Sequence, residues 1–492
     1  MCINTHRVGE IGLYMEYEPV IGLEVHAQLK TKTKAFCGCS TEFGKAPNSQ
    51  VCPVCLGFPG SLPVLNKTAL DYAIKVGLAL SCKIEEDTKF DRKNYFYPDL
   101  PKNYQISQYD RPLAYAGYLD IQTESGIKRI AIKRVHLEED AGKLLHEGND
   151  PDSSYVDYNR AGIPLLEIVS EPEINSPFEA YQYLASIKAI LKYLDVSDCD
   201  MEKGSLRCDA NISLREYGEK KLGVKTELKN MNSFKAIKSA LDYEIKRQSQ
   251  ILRDGGAIGQ QTLLWDAQEE KTHPMRTKEE AHDYRYFPEP DLVPFTFKPD
   301  EIQKIKNGLP ELPNARLTRF IKEFSLSNYE ANILTSDKHL ADYFQKCAKN
   351  YKNYKNLANW LIGPFLSELN NRKIEPDDIP IAADSLVRLI EITEEGAINN
   401  LSAKTALGEM FNSNKSAEVI IKERDLAQIS APGALEDIIK EVISSNEKTV
   451  SDYKNGKANA LMFLVGQVMK KTKGKANPNI VTEMLKERIQ NA

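Results

Sequence analysis

Ile21, Leu23, Val25, Ala27 and Leu29 alternate with Gly22, Glu24, His26 and Gln28, and this period of two constrains the chain more than any other feature. Successive side chains of a strand leave on opposite faces, so the pattern makes a strand with one apolar and one polar face. A helix would scatter both sets around its circumference. Glu24 and His26 then sit on one face, beside a glycine that leaves room for a ligand. A carboxylate and an imidazole so placed can converge on a metal or a reacting group. A sheet with one solvated face is the plainer reading of the same pattern.

The pattern recurs. From Gly204 to Leu214, Leu206, Cys208, Ala210 and Ile212 alternate with Arg207, Asp209, Asn211 and Ser213. Lys225, Glu227 and Lys229 alternate with Val224, Thr226 and Leu228. Glu167 lies within the apolar run bounded by Pro164 and Pro172, residues that cannot sit in a central ladder. The run Arg134-Val-His-Leu-Glu-Glu-Asp-Ala-Gly-Lys143 ends a β-rich stretch in three consecutive acids. Repeated acid-plus-histidine faces suit a hard divalent cation, because Mg²⁺ takes one or two carboxylates together with substrate phosphates and water.

At 492 residues the chain is too long for one core, and two or three domains are expected. It has 41% hydrophobic and 27% charged residues, an ordinary globular composition, and no apolar run long enough to span a bilayer. A cytoplasmic protein is expected. The net charge of −5 means that a nucleic-acid partner would need local basic patches. One such patch is residues 451–492, where eight Lys or Arg stand against three Asp or Glu, a balance of +5. There Lys470, Lys471, Lys473 and Lys475 follow the apolar helix Leu461–Met469, either as a solvated helix end or as phosphate contacts.

Nine cysteines, an odd number, argue for reduced thiols or metal ligands. Cys37, Cys39, Cys52 and Cys55 form a C-x-C and a C-x-x-C pair around a loop containing Gly44, Pro47 and Asn48. This suits a tetrahedral zinc knuckle; four free thiols are the alternative. Cys82, Cys199, Cys208 and Cys347 read as core or strand residues. Cys2 could act as an N-terminal nucleophile, although residues 1–14 read as a tail and Met15 as an alternative start.

Helices are expected from about Pro177 to Leu194 and from Asn232 to Leu252, in an otherwise strand-rich half. Past the linker-like stretch Asn307–Pro313 the pattern turns helical, with Ile321, Phe324, Leu334, Leu340, Tyr343 and Phe344 at amphipathic spacing, and it breaks again near Phe411–Lys415. The P-loop, H-E-x-x-H and G-x-S-x-G motifs are missing, so any ATP would be handled on a sheet face. Arg92 and Lys93 stand beside Tyr95, Phe96 and Tyr97, a mixture that can stack a base or hold a phosphate. Arg285 lies in a second segment of the same kind.

These segments carry a resemblance. Val-Ile-Gly-Leu-Glu-Val-His at 20–26, Phe-Asp-Arg-Lys-Asn-Tyr-Phe-Tyr-Pro-Asp at 90–99 and His-Leu-Glu-Glu-Asp-Ala-Gly-Lys at 136–143 are three of its motifs. Glu-Ile-Val-Ser-Glu-Pro at 167–172, Gly-Ser-Leu-Arg-Cys-Asp-Ala-Asn-Ile-Ser at 204–213 and Asp-Tyr-Arg-Tyr-Phe-Pro-Glu-Pro-Asp at 283–291 follow in order. From about Tyr17 onward the chain resembles the B-subunit family of tRNA-dependent amidotransferases (GatB, of the GatCAB heterotrimer).

The resemblance implies an α+β fold: an N-terminal cradle on an antiparallel β-sheet with flanking helices, then all-α C-terminal domains. It implies an extension over 1–14, a catalytic cradle over 15–305 with a zinc knuckle at 37–55, a helical linker domain over 306–410 and a tRNA-binding tail over 411–492. It further implies that misacylated Glu-tRNA(Gln) or Asp-tRNA(Asn) is bound and its side-chain carboxylate phosphorylated with ATP. Ammonia that an amidase (GatA) partner releases from glutamine then displaces the phosphate; a small GatC partner completes the heterotrimer. Carried over by motif, Glu24, His26, Glu139 and Glu167 are the Mg²⁺ ligands, with Asp209 on the same or a second ion. Glu138 is an alternative to Glu139, and His26 leaves room for Mn²⁺. Arg207, Arg92 and Lys93 are candidates for phosphate, Tyr95 and Tyr97 for nucleotide or tRNA terminus. A tRNA cradle without chemistry of its own and a stand-alone metallohydrolase are the competing readings.

Overall fold

The computed structural model describes residues 17–145, 154–275, 284–413, 415–428, 432–472 and 474–490. The extension over 1–14, Cys2, Met15 and Lys473 lie outside them. The chain divides into two compact units, Met1–Pro313 and Asn314–Ala492.

The alternating segment forms β1 (Tyr17–Gln28), the central strand of a nine-stranded sheet. Its other strands are β2 (Lys83–Ile84), β3 (Ala114–Thr123), β4 (Gly126–Glu139), β5 (Pro164–Ser170), β6 (Leu206–Glu216), β7 (Thr226–Lys229), β8 (Gln261–Asp266) and β9 (Lys271–Pro274). Their spatial order is β9-β8-β7-β6-β1-β5-β4-β3-β2. All neighbours are antiparallel except β7 and β8. A parallel pair needs a crossover, and helix α3 (Phe234–Arg253) supplies it.

Leu23, Val25 and Ala27 of β1 are wholly buried, as are Ala210 and Ile212 of β6, whereas Glu24, His26 and Gln28 are half-buried. The apolar face packs against α1 (Lys67–Ala79), α2 (Pro177–Tyr193) and α3, through Ala73, Tyr183, Leu184, Ile187, Ile237 and Leu241. Each of these helices begins at a side-chain cap. Asn66 accepts from Thr68 N and Ala69 N, Ser176 from Glu179 N and Ser233 from Ala236 N. Cys82, Cys199 and Cys208 are buried in this unit and Cys347 in the other.

Helix α4 (Pro299–Asn307) sends Ile302 and Ile305 onto the same core, followed by Leu309 and Leu312, so the first unit runs past residue 305. The second unit is helical and has two apolar clusters. One gathers Phe320, Leu334, Phe344, Phe365, Leu389 and Leu407; the other gathers Leu435, Ile439, Leu464, Val481 and Leu485. The helices Asn400–Ser413 and Ala417–Glu423 flank the break read near Phe411–Lys415.

Leu23 sits at the centre of the larger core. Leu23→Ala should cost roughly 2–5 kcal/mol in a denaturant melt, through lost transfer energy and the cavity it leaves; a cost under about 1 kcal/mol would show that β1 is not the centre of the fold.

Candidate active site

The register of the sheet assembles the polar face. His26 stands opposite Glu167 of β5 on one side and Arg207 of β6 on the other, and Glu24 stands opposite Asp209. Glu167 in turn stands opposite His136 of β4, and Leu165 opposite Glu138. Directly paired residues share a face, so charged or titratable positions from four strands face the same way.

At the centre of this face is the Glu167 carboxylate. Its Oε2 lies 3.3 Å from His26 Nε2 and 3.4 Å from His136 Nε2, and its Oε1 lies 3.5 Å from Arg134. Glu138 Oε2 lies 3.4 Å from the same His136 nitrogen and accepts a hydrogen bond from Ser107 Oγ at 2.9 Å. His26, Glu138 and Glu167 each bring one donor atom to within 4.8 Å of the others, a spacing that fits one divalent ion. His136 is buried and its Nδ1 finds no hydrogen-bond partner among the described residues.

The electrostatics follow from burial against pairing. Burial opposes the charge on His136, but Glu167 and Glu138 outweigh it and raise it to about 9. His26 is raised too, burial being overcome by the hydrogen bond to Glu167. Burial likewise opposes ionisation of Glu167, yet His136 and His26 hold it well below the usual carboxylate range. Lys93 faces this group from the ribbon made by Asp91–Asn94, Tyr104–Ser107 and Phe287–Pro288. Its ammonium sits 4.8 Å from the Tyr284 ring centroid and 5.9 Å from that of Tyr95. Burial works against it, but Glu138 above all keeps it charged.

The remaining residues fall into two groups. Glu24 accepts from Asn211 Nδ2 at 3.0 Å, Asp209 is paired with Lys229 at 2.5 Å and Arg207 with Asp140 at 2.9 Å. These three stay on the polar face beside the histidine–carboxylate group. Glu139 does not join them. One residue beyond Glu138, it continues the face of Val135 and Leu137, pairs with Lys102 and accepts from Ile106 N at 2.9 Å. The alternative acid, Glu138, is the one that meets His26 and Glu167. Arg92, next to Lys93, turns the other way, donating twice to Glu289 at 2.8 and 2.9 Å and stacking over Tyr104. Tyr95 donates to Gln105 Oε1 at 3.2 Å, while Tyr97 is at the surface.

Sequence reasoning passed over His136, because Ile130 and Ile132 lie in the core and counting by two from them would bury it on the apolar face. A register break between Ile132 and Arg134 reverses the parity and turns His136 to the polar face with Glu138. Tyr284 and Tyr286 lie in the second aromatic segment read around Arg285, and long-range pairing brings it here: Phe287 stands opposite Arg92, and Asn94 N donates to Tyr284 O at 2.9 Å.

Cys37, Cys39, Cys52 and Cys55 form a second group, one sulfur from each lying within 4.8 Å of all the others. Four convergent sulfurs fit a tetrahedral zinc ion. This knuckle and Glu139 line one cavity of about 200 Å³. Among the described residues no helix is long and apolar enough to cross a membrane.

Residues 19–303 match the model of the GatB/GatE catalytic domain, and residues 342–489 that of the GatB domain. The B subunit of the aspartyl/glutamyl-tRNA(Asn/Gln) amidotransferase of Caldanaerobacter subterraneus subsp. tengcongensis is 56% identical over 475 residues, 96% of this chain and 100% of that protein. The B subunit of the Carboxydothermus hydrogenoformans enzyme is 56% identical over 476 residues, 96% of this chain and 99% of that protein. Its counterpart in Thermodesulfovibrio yellowstonii is 53% identical over 472 residues, again 96% and 99%. The chain belongs to this family of amidotransferase B subunits.

A histidine whose folded value is raised contributes stability in full below its unfolded value near 6.5 and loses it as pH rises through the folded value. Chelator-treated protein should therefore lose stability between pH 6.5 and about 9, by at most about 3 kcal/mol, and His136→Gln should lose most of that slope. Denaturant melts across the range check this; a flat wild-type profile counts against a charged His136.

Proposed function

We propose that this chain is the carboxylate-activating subunit of a cytoplasmic tRNA-dependent amidotransferase. It would work with an amidase partner (GatA) and a small partner (GatC) on Glu-tRNA(Gln), Asp-tRNA(Asn) or both. The observation that carries the reading is the meeting of His26, Glu138 and Glu167 beneath the Lys93 ammonium, in a chain of this family. An oxygen of the esterified amino acid's side-chain carboxylate attacks the γ-phosphorus of ATP, forming one O–P bond as the bond to ADP breaks. Ammonia then attacks the acyl carbon and inorganic phosphate leaves with that oxygen. Activation comes first because an unmodified carboxylate has no adequate leaving group.

The residues divide the work. His26, Glu138 and Glu167 would hold the divalent ion, Mg²⁺ or Mn²⁺, whose chemistry is to neutralise charge on the transferring phosphoryl group. Lys93 adds a fixed positive charge from the opposite side, its position maintained by the rings of Tyr95 and Tyr284. Glu24 and Asp209 form a second carboxylate pair further along the face. Arg207 orients Asp140 and borders the site. Arg92 anchors the ribbon that carries Lys93, and so acts on position and not on phosphate. Zn²⁺ at the four cysteines would be structural.

The helical tail over 411–492 would bind the tRNA, with the helices over 306–410 as a linker. Several of its tail lysines already have acidic partners: Lys457 with Asp452, Lys471 with Glu441 and Lys475 with Asp425. Recognition there would thus lean on shape as much as on charge.

The test uses the chain co-purified with its amidase and small partners, supplied with Glu-tRNA(Gln), ATP, Mg²⁺ and glutamine. Gln-tRNA should form only with ATP. Glu167→Ala and Lys93→Met should each lower it by ~10²–10³-fold or more, with glutamine hydrolysis by the amidase retained. Full amide formation in Glu167→Ala would move the chemistry off this face. No ATP-dependent product in the wild-type complex would favour a tRNA cradle without catalysis.

A further inference from the structure

Lys34 has no exposed surface at all, although its ammonium is the kind of group that remains in water unless something charged replaces the water. Its Nζ lies 3.6 Å from Cys55 Sγ and 3.2 Å from the carbonyl oxygen of Tyr158. Among the described residues no carboxylate lies within ion-pair distance of it, and Glu139, which lines the same cavity, is already paired with Lys102. The enclosure is close. A Cβ on Gly162, whose φ is +85°, would lie 3.4 Å from Lys34 Cδ and 3.5 Å from Cys55 Cβ. The backbone nitrogen of Lys34 also donates to Cys39 O at 3.0 Å, tying the lysine to both cysteine pairs.

A single sulfur 3.6 Å away is a weak partner for a buried ammonium. Four thiolates around Zn²⁺ can balance it, because together they leave a net charge of about −2. From this geometry we infer that Lys34 is the buried counter-ion of the four-cysteine zinc centre, a positioning residue that favours zinc by offsetting part of the thiolate charge. The inference rests on the zinc reading given above. It makes the metal-free knuckle the less balanced state, since without zinc the buried cation has one sulfur and one carbonyl oxygen as its direct partners.

The test is a chelator competition on the full-length chain, paired with thermal melts of the zinc-loaded and chelator-treated forms. Wild type should hold one equivalent of zinc at this site. Lys34→Met should weaken zinc roughly 10–100-fold, the usual effect of losing a residue that supports metal ligands, and Lys34→Arg should stay close to wild type. The melts separate a counter-ion from a mere strut. A strut would lower both melting temperatures on removal. A counter-ion lost to methionine should lower the loaded form while leaving the metal-free form unchanged or raised. Lys34→Gln, which keeps a donor for Tyr158 O, carries the comparison if the methionine variant does not fold. Zinc held by the neutral variants within about twofold of wild type overturns the counter-ion role. A wild type that holds no zinc overturns the zinc reading and this inference with it.

Discussion

One oxygen of Glu167 receives two histidines, one from each neighbouring strand, and the arrangement of the polar face follows from that contact. Every residue of β5 is buried, so the Glu167 carboxylate enters the sheet at a high desolvation cost. It is tolerable only because His26, His136 and Arg134 surround it. The carboxylate in turn raises the two imidazoles, so each group makes the other's charge possible. A divalent ion bound at His26, Glu138 and Glu167 would take over this balance, neutralising the carboxylates and releasing protons from the histidines. The site is therefore ordered around its charges before any ligand arrives.

Much of this was legible in the sequence because the sheet is amphipathic. A period of two over Ile21–Leu29 and Leu206–Leu214 has one solution, and β1 and β6 adopt it with the apolar sets inward. The helices expected at Pro177–Leu194 and Asn232–Leu252 appear as Pro177–Tyr193 and Phe234–Arg253, set by the capping residues Ser176 and Ser233. What sequence could not supply was pairing at long range. The third strand of the ribbon carrying Lys93 comes from almost two hundred residues away, where Phe287 stands opposite Arg92 and Asn94 N donates to Tyr284 O, and nothing local encodes those contacts. Arg92 and Lys93 looked interchangeable as phosphate ligands, yet strand alternation separates them onto opposite sides.

The pair Glu138 and Glu139 shows the same rule at the end of β4. Adjacent strand residues cannot share a face, so one acid turns to the histidines and the other to the cysteine knuckle. Family likeness named Glu139, whereas the local geometry brings Glu138 to His26 and Glu167. Positions 136 and 138 face alike, but the register break after Ile132 hides from the sequence which of the two acids shares the face of His26 and Glu167.

That split also gives β4 a mechanical role. Glu138 and Glu139 are consecutive on one backbone and turn to opposite faces of the strand. The ribbon residues Ser107 and Ile106, themselves adjacent, grip the two acids from the same side, Ser107 Oγ on Glu138 and Ile106 N on Glu139. Gln105 adds a hydrogen bond to the Glu139 carbonyl at 2.5 Å. Three consecutive ribbon residues thus clamp the end of β4, where the histidine–carboxylate group and the residues lining the cysteine cavity meet across a single peptide bond. A strand end held by three neighbouring residues fixes the direction of both carboxylates, since each makes a hydrogen bond whose donor sits on the ribbon.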